Sequence, residues 1–167
     1  MIAPRWVWIV VGASVLVAAL VRFVALGDVP PGLFRDEAEK GYTALELWET
    51  GRHGEFDGDG AFAVTRAMPL FVEVGGVHTS AIYQYLSAPI VGVFGLSATT
   101  TRVVAALSGW LTVVAAIALA WRIAVRDTSR PRWWLVVGAA AFMAVSPAHV
   151  LFSRWAQQGI TVPLWTT

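Results

Sequence analysis

Residues 6–26 read WVWIVVGASVLVAALVRFVAL, 21 positions broken by a single charge, Arg22. About 20 apolar residues in a helix are needed to cross the roughly 30 Å hydrocarbon core of a bilayer. The run is longer than the ~7–15-residue apolar region of a cleaved signal peptide, and its small-residue cleavage site is poor. It therefore predicts a retained signal-anchor helix. Two more runs have the same character: 19 uncharged residues from Val103 to Trp121, and 21 from Trp133 to Ser153 with His149 counted as neutral.

Composition points the same way. Of the 167 residues, 57% are apolar and 14% charged, with a mean hydropathy of +0.64; soluble domains carry about 25% charge. A water-soluble globular domain is not expected on that ground. Twelve Lys and Arg against eleven Asp and Glu leave no basic bias, so no nucleic-acid partner is expected. The absence of cysteine removes disulfides, thiolate zinc sites and thiol nucleophiles. Nine tryptophans suit a membrane–water boundary.

Charge arbitrates the topology. The segment 122–132 carries Arg122, Arg126, Arg130 and Arg132 against Asp127 alone, and short basic loops stay cytoplasmic. With Arg5 leading a cytoplasmic N-terminus, the first span exits. A fourth apolar segment, Ala81–Leu96, is short and interrupted by Pro89, Gly92 and Gly95. If it crossed, the four arginines would be stranded outside. If it lies along the outer interface, or re-enters it, they land inside. The expected fold is thus an all-α integral membrane protein with about three transmembrane helices (about 6–26, 102–122 and 133–153). A cytoplasmic loop covers 122–132, and a long outer loop, 27–101, carries amphipathic juxtamembrane helices at about 35–50 and 81–96. On this reading Arg126 is cytoplasmic and Asp59 extracytoplasmic. The last residues, ITVPLWTT, read like the start of another span, so the chain is expected to be the front part of a longer one.

The outer loop holds ten of the eleven acids, and loops of this length are usually functional. It opens on VPPGLFRDEAEKGY, residues 29–42. Pro30, Pro31 and Gly32 make a helix-stopping turn. From Arg35 to Thr50 the pattern is helical, with Ala38, Gly41, Leu45 and Trp48 on one face and Gly51 as the stop. Asp36 and Glu37 fall in its first turn, where the helix dipole favours carboxylates. A purely local role, with Asp36 and Lys40 as an i,i+4 pair, accounts for these acids taken alone. Asp57-Gly-Asp-Gly reads as a glycine-rich turn, since the remaining calcium-loop ligands are missing.

The run from Pro30 to Tyr42 resembles the first outer loop of the GT-C glycosyltransferases, most closely family 39, the protein O-mannosyltransferase-like enzymes and their bacterial relatives. Three later pieces resemble the family in order: IYQYLSAP at 82–89 with FGLS at 94–97, TRVVAALSG at 101–109, and SPAHVLFSR at 146–154. The resemblance implies the N-terminal portion of a GT-C fold. It also implies a polyprenyl-phosphate-linked sugar as donor, with a protein, glycan or lipid acceptor on the extracytoplasmic face of a cell membrane. The family's catalytic base is the Asp of the Asp-Glu motif, here Asp36, and Glu37 would orient Asp36 or the acceptor. The chemistry is consistent: a carboxylate takes the proton of a poorly nucleophilic hydroxyl, and cations neutralise the departing phosphate. Arg35, Lys40 and Arg154 are the candidate cations. His78 lies near where relatives carry a lysine-proline pair and would stand in for it; a surface histidine with no role accounts for it equally. Tyr42, Tyr83, Tyr85 and Gln158 complete the candidate substrate contacts, although interface anchoring accounts equally for the two tyrosines at 83 and 85. Many relatives carry a second acid after the Ser-Arg; here Gln157 and Gln158 stand there, so no metal ligand is assigned and a divalent metal has no support in the sequence. The contrasting reading is a non-catalytic membrane module that binds lipid-linked sugar or assembles with other subunits.

Overall fold

The computed structural model describes residues 3–56, 62–74, 77–126 and 131–166, the side chains of 55, 56, 62–66, 158 and 165 excepted. It is mostly helical. The elements in order are α1 (Arg5–Phe23), α2 (Arg35–Thr50), β1 (Arg52–Phe56), β2 (Phe62–Ala67), β3 (Phe71–Val74), β4 (Val77–Ser80), α3 (Ile82–Phe94), α4 (Ala98–Ala124), α5 (Trp133–Val145), α6 (Pro147–Arg154), a 3-10 turn (Gln158–Ile160) and α7 (Thr161–Thr166). Two helices, α1 and α4, are long and apolar enough to cross a membrane, or three spans result if α5 and α6 count as one. The chain divides into two compact units, Met1–Val24 with Ala105–Thr167, and Ala25–Val104.

Two features depart from an all-α chain with a straight third span. The segment 27–101 carries strands beside its helices: β1 pairs with β2 and β3 with β4 as antiparallel hairpins. The span expected over 133–153 is broken at Ser146, and its halves are bent by 50°. The cause is Pro147: it has no N–H for the carbonyl four residues back and its ring obstructs the preceding turn.

In the first unit, small residues set the packing. Its core comprises Ala3, Val7, Ala18, Val113, Ile117, Ala124, Val136, Ala140 and Ala144, and small side chains let membrane helices approach closely. Trp121 stacks at a tilt on Trp8 and on Trp133, with ring centroids 4.9 and 5.1 Å apart. The start of α1, the end of α4 and the start of α5 therefore meet at one end. At Gly109 α4 comes close to α6: a methyl there would sit 2.7 Å from Ser153 Cβ and 3.5 Å from its Cα. Neither atom can swing away, so Gly109→Val is expected to destabilise the unit by about 1–3 kcal/mol, as overpacking does. A denaturation midpoint measured in detergent checks this, and an unchanged midpoint contradicts it.

Arg22, the lone charge in the first run, is fully buried. All five of its N–H groups donate: to Ser153 Oγ (3.3 Å), to the carbonyls of Ala18 (3.0 Å), Ala144 (3.1 Å) and Met143 (3.1 Å), and to His149 Nδ1 (2.8 Å). Met143 and Ala144 end α5, where the break strips carbonyls of their usual partners. An unsatisfied carbonyl in lipid costs several kcal/mol. Arg22 thus serves the break, and since a guanidinium cannot accept, it also fixes His149 Nδ1 as the acceptor.

Candidate functional site

The site expected from sequence lies in the second unit, on the first turn of α2. That helix runs over Arg35–Thr50 and stops at Gly51, whose φ of +66° is the left-handed conformation glycine adopts freely. The turn before it contains a cis Val29–Pro30 peptide and Gly32 at φ +71°. Gly41 lets α2 approach the start of α4, since a side chain there would meet Thr101 Oγ1 at 2.5 Å and Leu96 Cδ1 at 2.9 Å.

Arg102 organises this region. It is fully buried, as is Glu37. Its Nε donates to Glu37 Oε1 and its Nη2 to Glu37 Oε2, both at 2.9 Å. Its other three N–H groups go to the carbonyls of Leu26 (3.1 Å), Pro30 (2.9 Å) and Gly32 (2.5 Å). Glu37 Oε2 also accepts from the backbone N–H of Phe34 at 3.1 Å, which caps α2. One buried pair, bidentate and charge-assisted, therefore holds together the Pro30–Gly32 turn, the α2 N-terminus and the start of α4.

Both oxygens of Glu37 face Arg102, so through that pair Glu37 holds the backbone that carries Asp36. Asp36, its neighbour, is half-buried and Arg35 exposed. Lys40, one turn on, is 3% exposed. Burial lowers its pKa from the usual lysine value, while the carboxylates of Asp36, Glu37 and Glu39 pull it back up. The structure thus brings Asp36, Glu37 and Lys40 together on one helix end. Tyr42 points outward from α2, 66% exposed.

Other expected contacts are used differently. Tyr83 is 1% exposed and donates its hydroxyl to the Thr101 carbonyl at 2.8 Å, so its ring offers no face to a sugar. Tyr85 donates to the Pro69 carbonyl at 2.9 Å. His78 is exposed on β4, opposite Glu73 of β3. Arg154, in the first unit, does not present a bare guanidinium: Nη1 donates to the carbonyls of Val21 (2.7 Å) and Val24 (3.0 Å), and Nη2 to Val24 (3.0 Å). It caps the C-terminal end of α1, where cations suit the dipole. The side chain of Gln158 and the Asp57-Gly-Asp-Gly turn lie outside the described residues. Gln157 lines a cavity of about 510 Å³ in the first unit, with Met143, His149, Phe152, Ile160 and Pro163 among its walls. Among the described residues, no three His, Asp or Glu side chains gather as a metal site.

The residue that sequence reasoning missed is Arg102. It stands at the edge of an apolar run, where an arginine ordinarily marks the membrane boundary, and its partner Glu37 is 65 positions away. No family model matches the chain, and no curated protein or solved structure matches it either.

Proposed function

We propose that the chain belongs to a membrane glycosyltransferase that moves a sugar from a polyprenyl-phosphate donor to an acceptor on the extracytoplasmic face, with Asp36 as general base. The observation that carries this reading is the state of Asp36. It is a half-buried carboxylate on a helix end whose backbone is pinned by the buried Glu37–Arg102 pair. A general base needs a fixed position within hydrogen-bond reach of the hydroxyl it deprotonates, and a pinned helix end supplies that. Lys40, buried one turn on, would favour the departing phosphate through its charge and not through direct contact. In-line attack would form the bond from the acceptor oxygen to the anomeric carbon as the bond to the phosphate oxygen breaks. The acceptor proton goes to Asp36, the phosphate leaves as the polyprenyl phosphate, and the anomeric centre is inverted. The test is transfer of radiolabelled sugar from a polyprenyl-phosphate sugar by membranes carrying the full chain. No transfer above that of empty membranes, over a panel of such donors, would reject it.

The orientation belongs to the same proposal. The meeting of Trp8, Trp121 and Trp133 at one end of the first unit supports α1 and α4 running in opposite directions. Arg5, Arg122, Arg126 and Arg132 cluster in sequence at those helix ends, and the positive-inside tendency makes that end cytoplasmic. With no native cysteine, single cysteines report directly. One at Arg126 is expected to resist a membrane-impermeant maleimide in intact cells, and one at Glu49 to react. Outside labelling at 126 would reverse the topology.

A further inference from the structure

Arg22, Arg102 and Arg154 give N–H groups to backbone carbonyls; Arg126 and Arg132 do not. Both lie in the first unit, Arg126 just after α4 and Arg132 just before α5, and both are exposed. They line a cavity of about 310 Å³, with Ile123 and Ala124 among its other walls. The carbonyls at this end of α4 already have backbone donors. Trp121 accepts from the N–H of Val125 at 3.1 Å, Ile123 from that of Arg126 at 3.3 Å, and Ala124 from that of Arg132 at 3.1 Å. The two guanidiniums therefore have no carbonyl to cap there, and neither donates to another described residue. Charge within the unit does not answer them either. It holds seven arginines and a single acid, Asp127, which lies outside the described residues. One carboxylate cannot neutralise the four arginines of 122–132, and two guanidiniums on one cavity repel each other unless an anion sits between them.

We infer that the Arg126–Arg132 cavity binds the phosphate of an anionic phospholipid of the phosphatidylglycerol kind, drawn from the leaflet at that end of the first unit. Depth selects the class of anion. Trp121 stacks on Trp8 and on Trp133 at the same end, and tryptophan settles at the level of the lipid headgroups. The cavity therefore lies where lipid phosphates lie. Ile123, 51% exposed, gives it an apolar wall for the part of the lipid below the phosphate. A guanidinium fork matches two phosphate oxygens at once, and basic pockets at the ends of membrane helices hold such headgroups. Zwitterionic headgroups carry an ammonium that the paired arginines repel, so the site favours a lipid with net negative charge. It involves no residue of the second unit and needs no sugar transfer.

The test uses the full chain in phosphatidylcholine nanodiscs that contain a trace of phosphatidylglycerol or phosphatidylcholine with a nitroxide on the acyl chain. The motionally restricted fraction of each labelled lipid gives its relative affinity for the protein. Wild type is expected to hold phosphatidylglycerol several-fold more strongly than phosphatidylcholine. Arg126→Gln and Arg132→Gln should each weaken that preference, and the double variant should lose most of it. Their unfolding midpoints should match wild type, because both side chains are exposed and donate to no described residue. Arg122→Gln removes one charge at the same end without altering the cavity wall, and it is expected to keep the preference. No preference in wild type would overturn the inference. An equal loss in Arg122→Gln and Arg126→Gln would assign the effect to the diffuse field of the basic end and overturn it too. Release of the labelled phosphatidylglycerol by inorganic phosphate at matched ionic strength would assign the cavity to a free anion, against the lipid.

Discussion

Replacing Arg102 with methionine is expected to unfold the second unit or bring it close to unfolding. The substitution leaves the Glu37 carboxylate at zero exposure without its partner, and it orphans the carbonyls of Leu26, Pro30 and Gly32. Breaking one side of a buried ion pair costs about 3–5 kcal/mol, against a total stability of about 5–15 kcal/mol for a typical domain. Arg102→Lys keeps the charge but offers three donors where five are used, so it is expected to recover part of the loss only. The double variant Arg102→Met with Glu37→Gln removes the uncompensated charge and is expected to be less damaged than the sum of the singles. Thermal unfolding of wild type, the three single variants Arg102→Met, Arg102→Lys and Glu37→Gln, and the double variant in one detergent measures this. An Arg102→Met midpoint within error of wild type would remove the clamp from the account.

Much of the helical frame is legible in the sequence, for identifiable reasons. The limits of α2 follow from the Pro30–Gly32 turn, the acids of its first turn and Gly51; α3 follows from an apolar run between polar turns. What hides is whatever depends on distant partners. Strands β1 to β4 have four to six residues each, too short for alternation to declare itself, and in β4 Val77 is exposed. The bend at Ser146 is masked by the apolar residues that continue past Pro147 to Ser153. Arg22, Arg102 and Arg154 read as an interruption, a span edge and a free cation. In the fold all three bind backbone carbonyls, because helix ends and a tight turn leave acceptors that only long, multiply donating side chains can reach. The partner of Glu37 is hidden for the same reason: nothing local marks a carboxylate that faces a guanidinium 65 residues on.

The Asp36→Asn variant carries the second large effect. Asparagine keeps the size of the side chain and part of its hydrogen bonding, yet cannot accept the acceptor's proton. A half-buried carboxylate in a first helical turn contributes only about 0.3–1 kcal/mol through the dipole, so insertion and unfolding should hardly change. Loss of a general base slows reaction by about 10²–10⁴-fold. Glu37→Gln separates the two roles. It weakens the clamp on Arg102, so its loss should appear in the unfolding midpoint as well as in rate, whereas Asp36→Asn should appear in rate alone. The most direct measurement is therefore single-turnover sugar transfer from a polyprenyl-phosphate donor by reconstituted full chain, wild type beside Asp36→Asn, with donor binding recorded in parallel. The account predicts unchanged donor binding and transfer at least about a hundredfold slower in the variant; near-wild-type transfer by Asp36→Asn would contradict it.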